Sequence, residues 1–214
     1  EGILPIYSVD LPDKKVALTF DIAWGNQYNS EILDTLKRYD IKSTFFITGS
    51  WAEKYPSVVK RIASDGHEIG NHSLNHPKMS TLSKDEMASE IKGCETNIMK
   101  LTGKKTKLFR CPYGDYNNTL ITLAHDMGYK VIQWDVDSLD WNGASGDDIY
   151  NRTLLKAGSG SIILFHNNSS STLKALERII EELRNKGYRF MTVSELLIKD
   201  DYYIASTGSQ HLIE

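Results

Sequence analysis

Short apolar runs alternate with longer amphipathic stretches along the whole chain, the pattern of repeated β-α units rather than of a sandwich or a helical bundle. The apolar runs predict strands over 16–21, 43–48, 68–71, 108–110, 131–136, 161–165 and 190–193. Helices are expected between them over 30–39, 51–64, 84–101, 119–127, 146–156 and 172–186. Ser83 followed three residues later by Glu86 marks a helix start, because each side chain can satisfy a free N–H of the first turn. Gly128 and Gly187 follow helical runs and suit left-handed caps. The segment beyond Lys199 reads as an irregular end carrying a helix docked on the body. Seven units are too many for a small open sheet and suit a distorted (β/α) barrel of seven or eight strands, although a doubly wound sheet shares the pattern.

Composition bounds the partners more than the fold. The 214 residues suffice for one core, so residues 1–214 are expected to be a single domain and a monomer. A formal charge of −3 leaves no electrostatic footprint for nucleic acid or an anionic membrane, and the expected partner is neutral or small. No apolar run approaches the roughly 20 residues of a membrane span. The first residues lack the features of a secretory leader, which is compatible with a leader already cleaved. Cys94 and Cys111 fit no metal-type pair and read as free thiols, a usage that suits the cytosol and a bacterial exterior equally.

Chemistry concentrates at the predicted strand ends, where Asp21, His72, Arg110, Asp137, Asp140 and His166 all fall. In either α/β architecture that rim is where active sites are built. His72 and His76, four apart, would share one face of a helical turn and reach a common metal ion, although two capping or solvent-facing histidines fit the spacing as well. Asp21 ends an apolar strand as a general base would, or as an Asx-turn would. Arg110, before Cys111-Pro112-Tyr113-Gly114, could keep such a base ionised, or form a structural ion pair. The run from Trp134 to Trp141 holds three carboxylates and two indoles, a composition suited to stacking on sugars and holding their hydroxyls. His166 ends a buried strand, where a hydrogen-bonded structural histidine is the ordinary finding.

Taken together and in order, these segments resemble the five motifs of the NodB-type polysaccharide deacetylases, carbohydrate esterase family four, over roughly 15–197. The resemblance implies a distorted barrel that removes N-acetyl groups from an amino-sugar polysaccharide with a divalent metal, zinc by expectation. It implies Asp21 as the base, His72 and His76 as metal ligands, and Arg110 as the group that holds the base. It further implies Tyr113 as the backbone donor to the oxyanion, His166 as the acid, Asp140 as the carboxylate behind it, and Trp141 with Leu164 as the pocket for the acetyl methyl.

One position departs from the family pattern. Where the family carries a second aspartate as third metal ligand, this chain has Ile22, which cannot coordinate. A metal would keep His72, His76 and water, or recruit Asn26 or Asn75. The run from Phe20 to Gly25 is similar to the sporulation branch of the family, which implies a spore-forming bacterium, an extracytoplasmic or spore-associated location and peptidoglycan as the glycan. Two other readings stay open: a catalytically impaired glycan binder, and an esterase for O-acetyl groups of the xylan type.

Overall fold

A computed structural model, describing residues 2–214, shows how the repeated units assemble. In chain order the elements are β1 (Ser8–Val9), β2 (Lys15–Ile22), α1 (Asn29–Arg38), β3 (Thr44–Ile47), α2 (Gly49–Lys54), α3 (Pro56–Ser64) and β4 (Glu68–Asn71). Then follow α4 (Lys84–Thr102), β5 (Leu108–Phe109), α5 (Asn118–Asp126), β6 (Lys130–Val131), β7 (Val136–Asp137) and α6 (Gly146–Lys156). The chain continues with β8 (Ile162–His166), α7 (Ser170–Asn185), β9 (Arg189–Phe190), α8 (Val193–Leu196), β10 (Tyr202–Ile204) and β11 (Ser209–Leu212). Seven strands pair in parallel in the order β6-β5-β4-β3-β2-β8-β7, and β9 adds beside the start of β2. This is the expected distorted barrel, curled but open between β6 and β7.

The alternation of a strand sorts its residues between two layers. On β2 the even positions Val16, Leu18, Phe20 and Ile22 pack with Ile32, Leu36, Trp51, Ile149 and Ile179 of the surrounding helices. Phe20 stacks between Phe45 (5.0 Å) and Phe165 (5.5 Å) in that layer. The odd positions Thr19 and Asp21 turn to the concave side and stand in register with Leu164 and His166 of β8. Register between β2 and β8 therefore sets the two most suggestive polar residues side by side at one sheet end.

Most predicted elements appear within a few residues of their expected bounds, and the Ser83–Glu86 capping box forms. Gly128 and Gly187 both take the left-handed backbone expected of them, each at φ +92°. Four expectations need correction, the first being the strand over 190–193, which stops at Phe190 because Thr192 caps a helix that Val193 opens. The helix over 51–64 is two helices, because Pro56 has no N–H to continue the first and starts α3 instead. The strand over 131–136 is broken into β6 and β7: Ile132 stays bonded to Phe109 of β5 and pairs with Ile6 on its other edge, and the chain then bends at Asp135 before β7. The tail is a β-hairpin, not a docked helix: β10 and β11 pair antiparallel, and β11 lies parallel to β1.

Candidate active site

Asp21 is 6% exposed and is gripped from one side by Arg110, whose Nη1 donates to Oδ1 at 2.9 Å. Arg110 itself is fully buried, an expensive position for a charge unless every donor is used. Its Nη1 also donates to Thr19 Oγ1 (2.8 Å), Nη2 to the Gln133 carbonyl (2.9 Å) and Nε to the Ile132 carbonyl (3.3 Å), while the guanidinium lies 4.2 Å from the Phe46 ring centre. Burial pushes the Asp21 carboxyl up, but Arg110, with a further contribution from His166, outweighs it and holds the group below the usual carboxylate range.

His72 is buried, and its Nδ1–H donates to the Arg110 carbonyl at 2.8 Å, which leaves Nε2 with a lone pair 3.6 Å from Asp21 Oδ2. Burial lowers its pKa, so the ring is neutral and its contact with Asp21 is no ion pair. His76 lies 4.8 Å from His72 between ring centres, with the edges of Trp24 (4.7 Å) and Tyr113 (4.4 Å) on its other sides. Burial lowers its pKa to about 4, and its Nδ1 is enclosed without a hydrogen-bond partner. The two imidazoles do not share a helical turn, as their spacing had suggested; they sit on an irregular loop with left-handed backbone at Ser73 (φ +70°) and His76 (φ +60°).

His166 faces Asp21 across the register of β2 and β8. Its Nδ1 lies 2.9 Å from Asp140 Oδ1, and its backbone N–H donates to Asp140 Oδ2 at 2.6 Å. Thr172 Oγ1 donates to the same Oδ2 at 2.7 Å, so Asp140, 3% exposed, is held from three directions. Burial opposes charge on His166, yet the bond to Asp140 and the nearby carboxylates of Asp21 and Asp137 leave its pKa raised.

These groups open into one cavity of about 860 Å³ whose walls include Asp21, His76, Tyr113, Trp134, Asp137, Asp140, Trp141, Leu164 and His166. Tyr113 and Trp141 are 66% and 58% exposed at its rim, and Leu164 is buried on its floor. The Trp141 indole N–H donates to the carboxylate of Asp137 (3.3 Å to each oxygen). Tyr113 and Leu139, like Ser73 and His76, have positive φ; four of the five such non-glycine residues among the described ones thus border the site. Each costs about 1–3 kcal/mol, which packing elsewhere must offset.

All the candidate residues line this cavity except His72 and Arg110, which are buried behind it against Asp21, and several contributors went unnoticed. Trp24, 56% exposed, lines the cavity against His76, and Asn168, Ser169 and Ser170 form its polar edge. Thr19 and Thr172 serve as hidden partners. The run Asn167 to Ser171 directly after His166 was the available signal for the polar edge; nothing in the sequence singles out either threonine.

The donor set for a metal is incomplete. His72 and His76 supply neutral imidazoles, but Ile22 is fully buried among helix-facing apolar side chains. Asn26 Oδ1 accepts from Asn29 Nδ2 (2.9 Å) and Asn75 Oδ1 from Ser50 Oγ (2.7 Å), so each is already engaged in a bond of its own. Among the described residues no group of three or more His, Cys, Asp or Glu is arranged to hold a metal ion. Among the described residues no helix is long and apolar enough to cross a membrane.

Comparison with known proteins agrees with this geometry. The chain is 39% identical over 186 residues to a peptidoglycan-N-acetylglucosamine deacetylase of Bacillus cereus, covering 85% of this chain and 68% of that one. It is 31% identical over 204 residues to the peptidoglycan-N-acetylmuramic acid deacetylase PdaA of Bacillus subtilis, covering 94% and 78%. Among solved structures it superposes on a CE4 family pseudoenzyme from Bacillus anthracis with a TM-score of 0.88 and 34% identity, covering 98% of this chain and 73% of that one. The profile of one family, described as polysaccharide deacetylase, matches residues 8–132, which include Asp21, both imidazoles, Arg110 and Tyr113. The chain belongs to the polysaccharide deacetylase family.

Proposed function

We propose that the chain is a hydrolase that removes N-acetyl groups from an amino-sugar polysaccharide, with peptidoglycan as substrate. The observation that carries this reading is the pairing of Asp21 and His166 across one register of the sheet, each with a partner that sets its protonation. Arg110 keeps Asp21 ionised, and Asp140 favours the protonated ring of His166. A glycan-binding wall needs no such pair.

An acetamide is a reluctant electrophile and its amine a poor leaving group, so hydrolysis needs a proton removed from water and another delivered to nitrogen. Asp21 takes the proton as water attacks the carbonyl carbon. The backbone N–H of Tyr113 is assigned to the oxygen that gains charge in the tetrahedral intermediate. His166, with Nδ1 engaged by Asp140, gives its proton from Nε2 to the nitrogen as the carbon–nitrogen bond breaks, leaving acetate and a free amine. Trp141 and Leu164 enclose the methyl group. A divalent cation, zinc by the resemblance, would find only His72 and His76 as protein donors, so this chemistry is assigned to Asp21, Arg110, Tyr113 and His166. We assign the action outside the cytoplasm, which the peptidoglycan deacetylases among its relatives support, and we assign it to a single monomeric domain at cell wall or spore.

A second reading has its own support. A carboxylate held as acidic as Asp21 is a weak base, the donor set beside it lacks a third protein ligand, and one close structural neighbour is itself a pseudoenzyme. In that reading the same cavity holds glycan without cleaving it. Acetate release from peptidoglycan fragments, N-acetylglucosamine oligomers and acetylated xylan separates the cases. We expect release from the first two and a loss of at least about a hundredfold in Asp21→Asn. Release from xylan alone would reassign the chain as an ester hydrolase; binding of oligomers without any release would establish the second reading.

A further inference from the structure

The loop that carries both imidazoles has no regular backbone bonding of its own, yet it must hold two rings 4.8 Å apart. Its middle is fastened to α4. One carboxylate oxygen of Glu90 accepts the backbone N–H groups of both Leu74 (2.9 Å) and Asn75 (2.8 Å), and the other accepts from the Asn75 side-chain amide (3.1 Å). The two bonded amides lie between His72 and His76 in sequence, at the bend that brings the rings together. A carboxylate that receives two successive backbone amides does for a bend what a capping side chain does for a helix start.

A second feature acts at the same point. The Leu74 side chain fits a notch where two helices lack side chains: a Cβ on Gly49 would stand 2.8 Å from Leu74 Cδ1, and one on Gly93 would stand 2.9 Å from Leu74 Cδ2. Gly93 lies inside α4, where glycine weakens a helix, so a packing reason is required and Leu74 supplies it. Backbone bonds from Gly49 N to the Ser73 carbonyl and from Ser50 N to the Leu74 carbonyl, each 2.9 Å, complete the attachment on the α2 side.

We propose that Glu90, with Leu74 seated between Gly49 and Gly93, is the clasp that positions His72 and His76, making Glu90 a positioning residue for the site. It touches neither ring nor the cavity; it acts through the loop. The consequence for turnover rests on the hydrolase reading above, through His72 placed 3.6 Å from the base Asp21 and His76 packed against Tyr113, but the clasp itself does not.

The test compares native protein with Glu90→Ala, Glu90→Gln and Gly93→Ala by amide hydrogen exchange, by the ring-proton resonances of His72 and His76, and by acetate release. Glu90→Ala is expected to speed exchange at Leu74 and Asn75 at least tenfold and to shift or broaden both ring signals, with exchange in the β2 and β8 cores unchanged. Glu90→Gln keeps an acceptor oxygen and should restore most of the protection. Gly93→Ala, which displaces Leu74 without touching Glu90, should perturb the same ring signals. Acetate release should fall at least tenfold in Glu90→Ala through kcat, with KM nearly constant, and recover in Glu90→Gln. Unchanged exchange and ring signals in Glu90→Ala would overturn the clasp, whatever the activity. Altered exchange with undiminished turnover would overturn its positioning role. A native protein that releases no acetate would remove the hydrolase reading and leave the exchange and ring measurements to decide the clasp.

Discussion

At the scale of single residues, the site is two carboxylates given opposite tasks by their neighbours. Asp21 shares its pocket with a guanidinium whose three nitrogens each donate a hydrogen bond, so its charge is stabilised where burial alone would remove it. Asp140 takes three donors and spends its charge on His166. The sign of a pH effect follows. Asp140 favours the charged imidazole, so Asp140→Asn should lower the His166 pKa and move the alkaline limb of the rate profile to lower pH, with a fall in kcat of roughly 10²-fold or more if His166 is the acid. A pH–rate series on both proteins reads this directly, and an unmoved alkaline limb would exclude His166 as the titrating acid. Asp21, His72, His76, Arg110, Tyr113 and His166 were legible as residue types at strand ends. Thr19, Thr172 and Glu90 were not, because a threonine or glutamate acquires a role only from what faces it.

At the scale of elements, short signals decided boundaries. The capping box at the start of α4 is complete: Ser83 accepts from the Glu86 N–H (3.2 Å), and Glu86 accepts from the Ser83 N–H (3.0 Å). Ser83→Ala should lower stability by about 1 kcal/mol. For a chain of this size that is about 2–4 °C in Tm, with acetate release at room temperature unchanged; calorimetry beside an activity assay checks both. Since α4 also carries Glu90 and Gly93, a loss of turnover in this variant would mean that the start of the helix, and not only its middle, governs the imidazole loop. The same local rules explain the misreadings. Pro56 was visible as a helix breaker, whereas the interruption between β6 and β7 has no local mark. Residues 131–136 are apolar enough for one strand, yet they divide between two neighbourhoods: Ile132 pairs with Ile6 and Phe109, both distant in sequence, whereas Val136 and Asp137 pair with β8.

At the scale of the whole molecule, the chain ends complete the barrel. The amino-terminal segment spans the open side of the barrel, pairing Ile6 with Ile132 just after β6 and Ser8 with Ser161 just before β8, and the carboxy-terminal hairpin pairs with its outer part. Gly160 is the seam: it has φ +81°, its carbonyl accepts the Val9 N–H (2.9 Å), and an added Cβ would meet the Val9 oxygen at 1.7 Å. Gly160→Ala should therefore cost at least about 2 kcal/mol, from the left-handed backbone and the forced separation together. A melting temperature within a degree of native would show that the seam is not what holds the ends. The order of strands and helices, the cap at Ser83 and the family's motif residues were determined by sequence alone, since periodicity, capping chemistry and motif order are local or linear properties. Tertiary structure alone decided the register that sets Asp21 beside His166, the burial of Ile22 against the helices, and the clasp on the imidazole loop. Each of these depends on which residues from remote segments meet in space, and no pattern along a single segment specifies that.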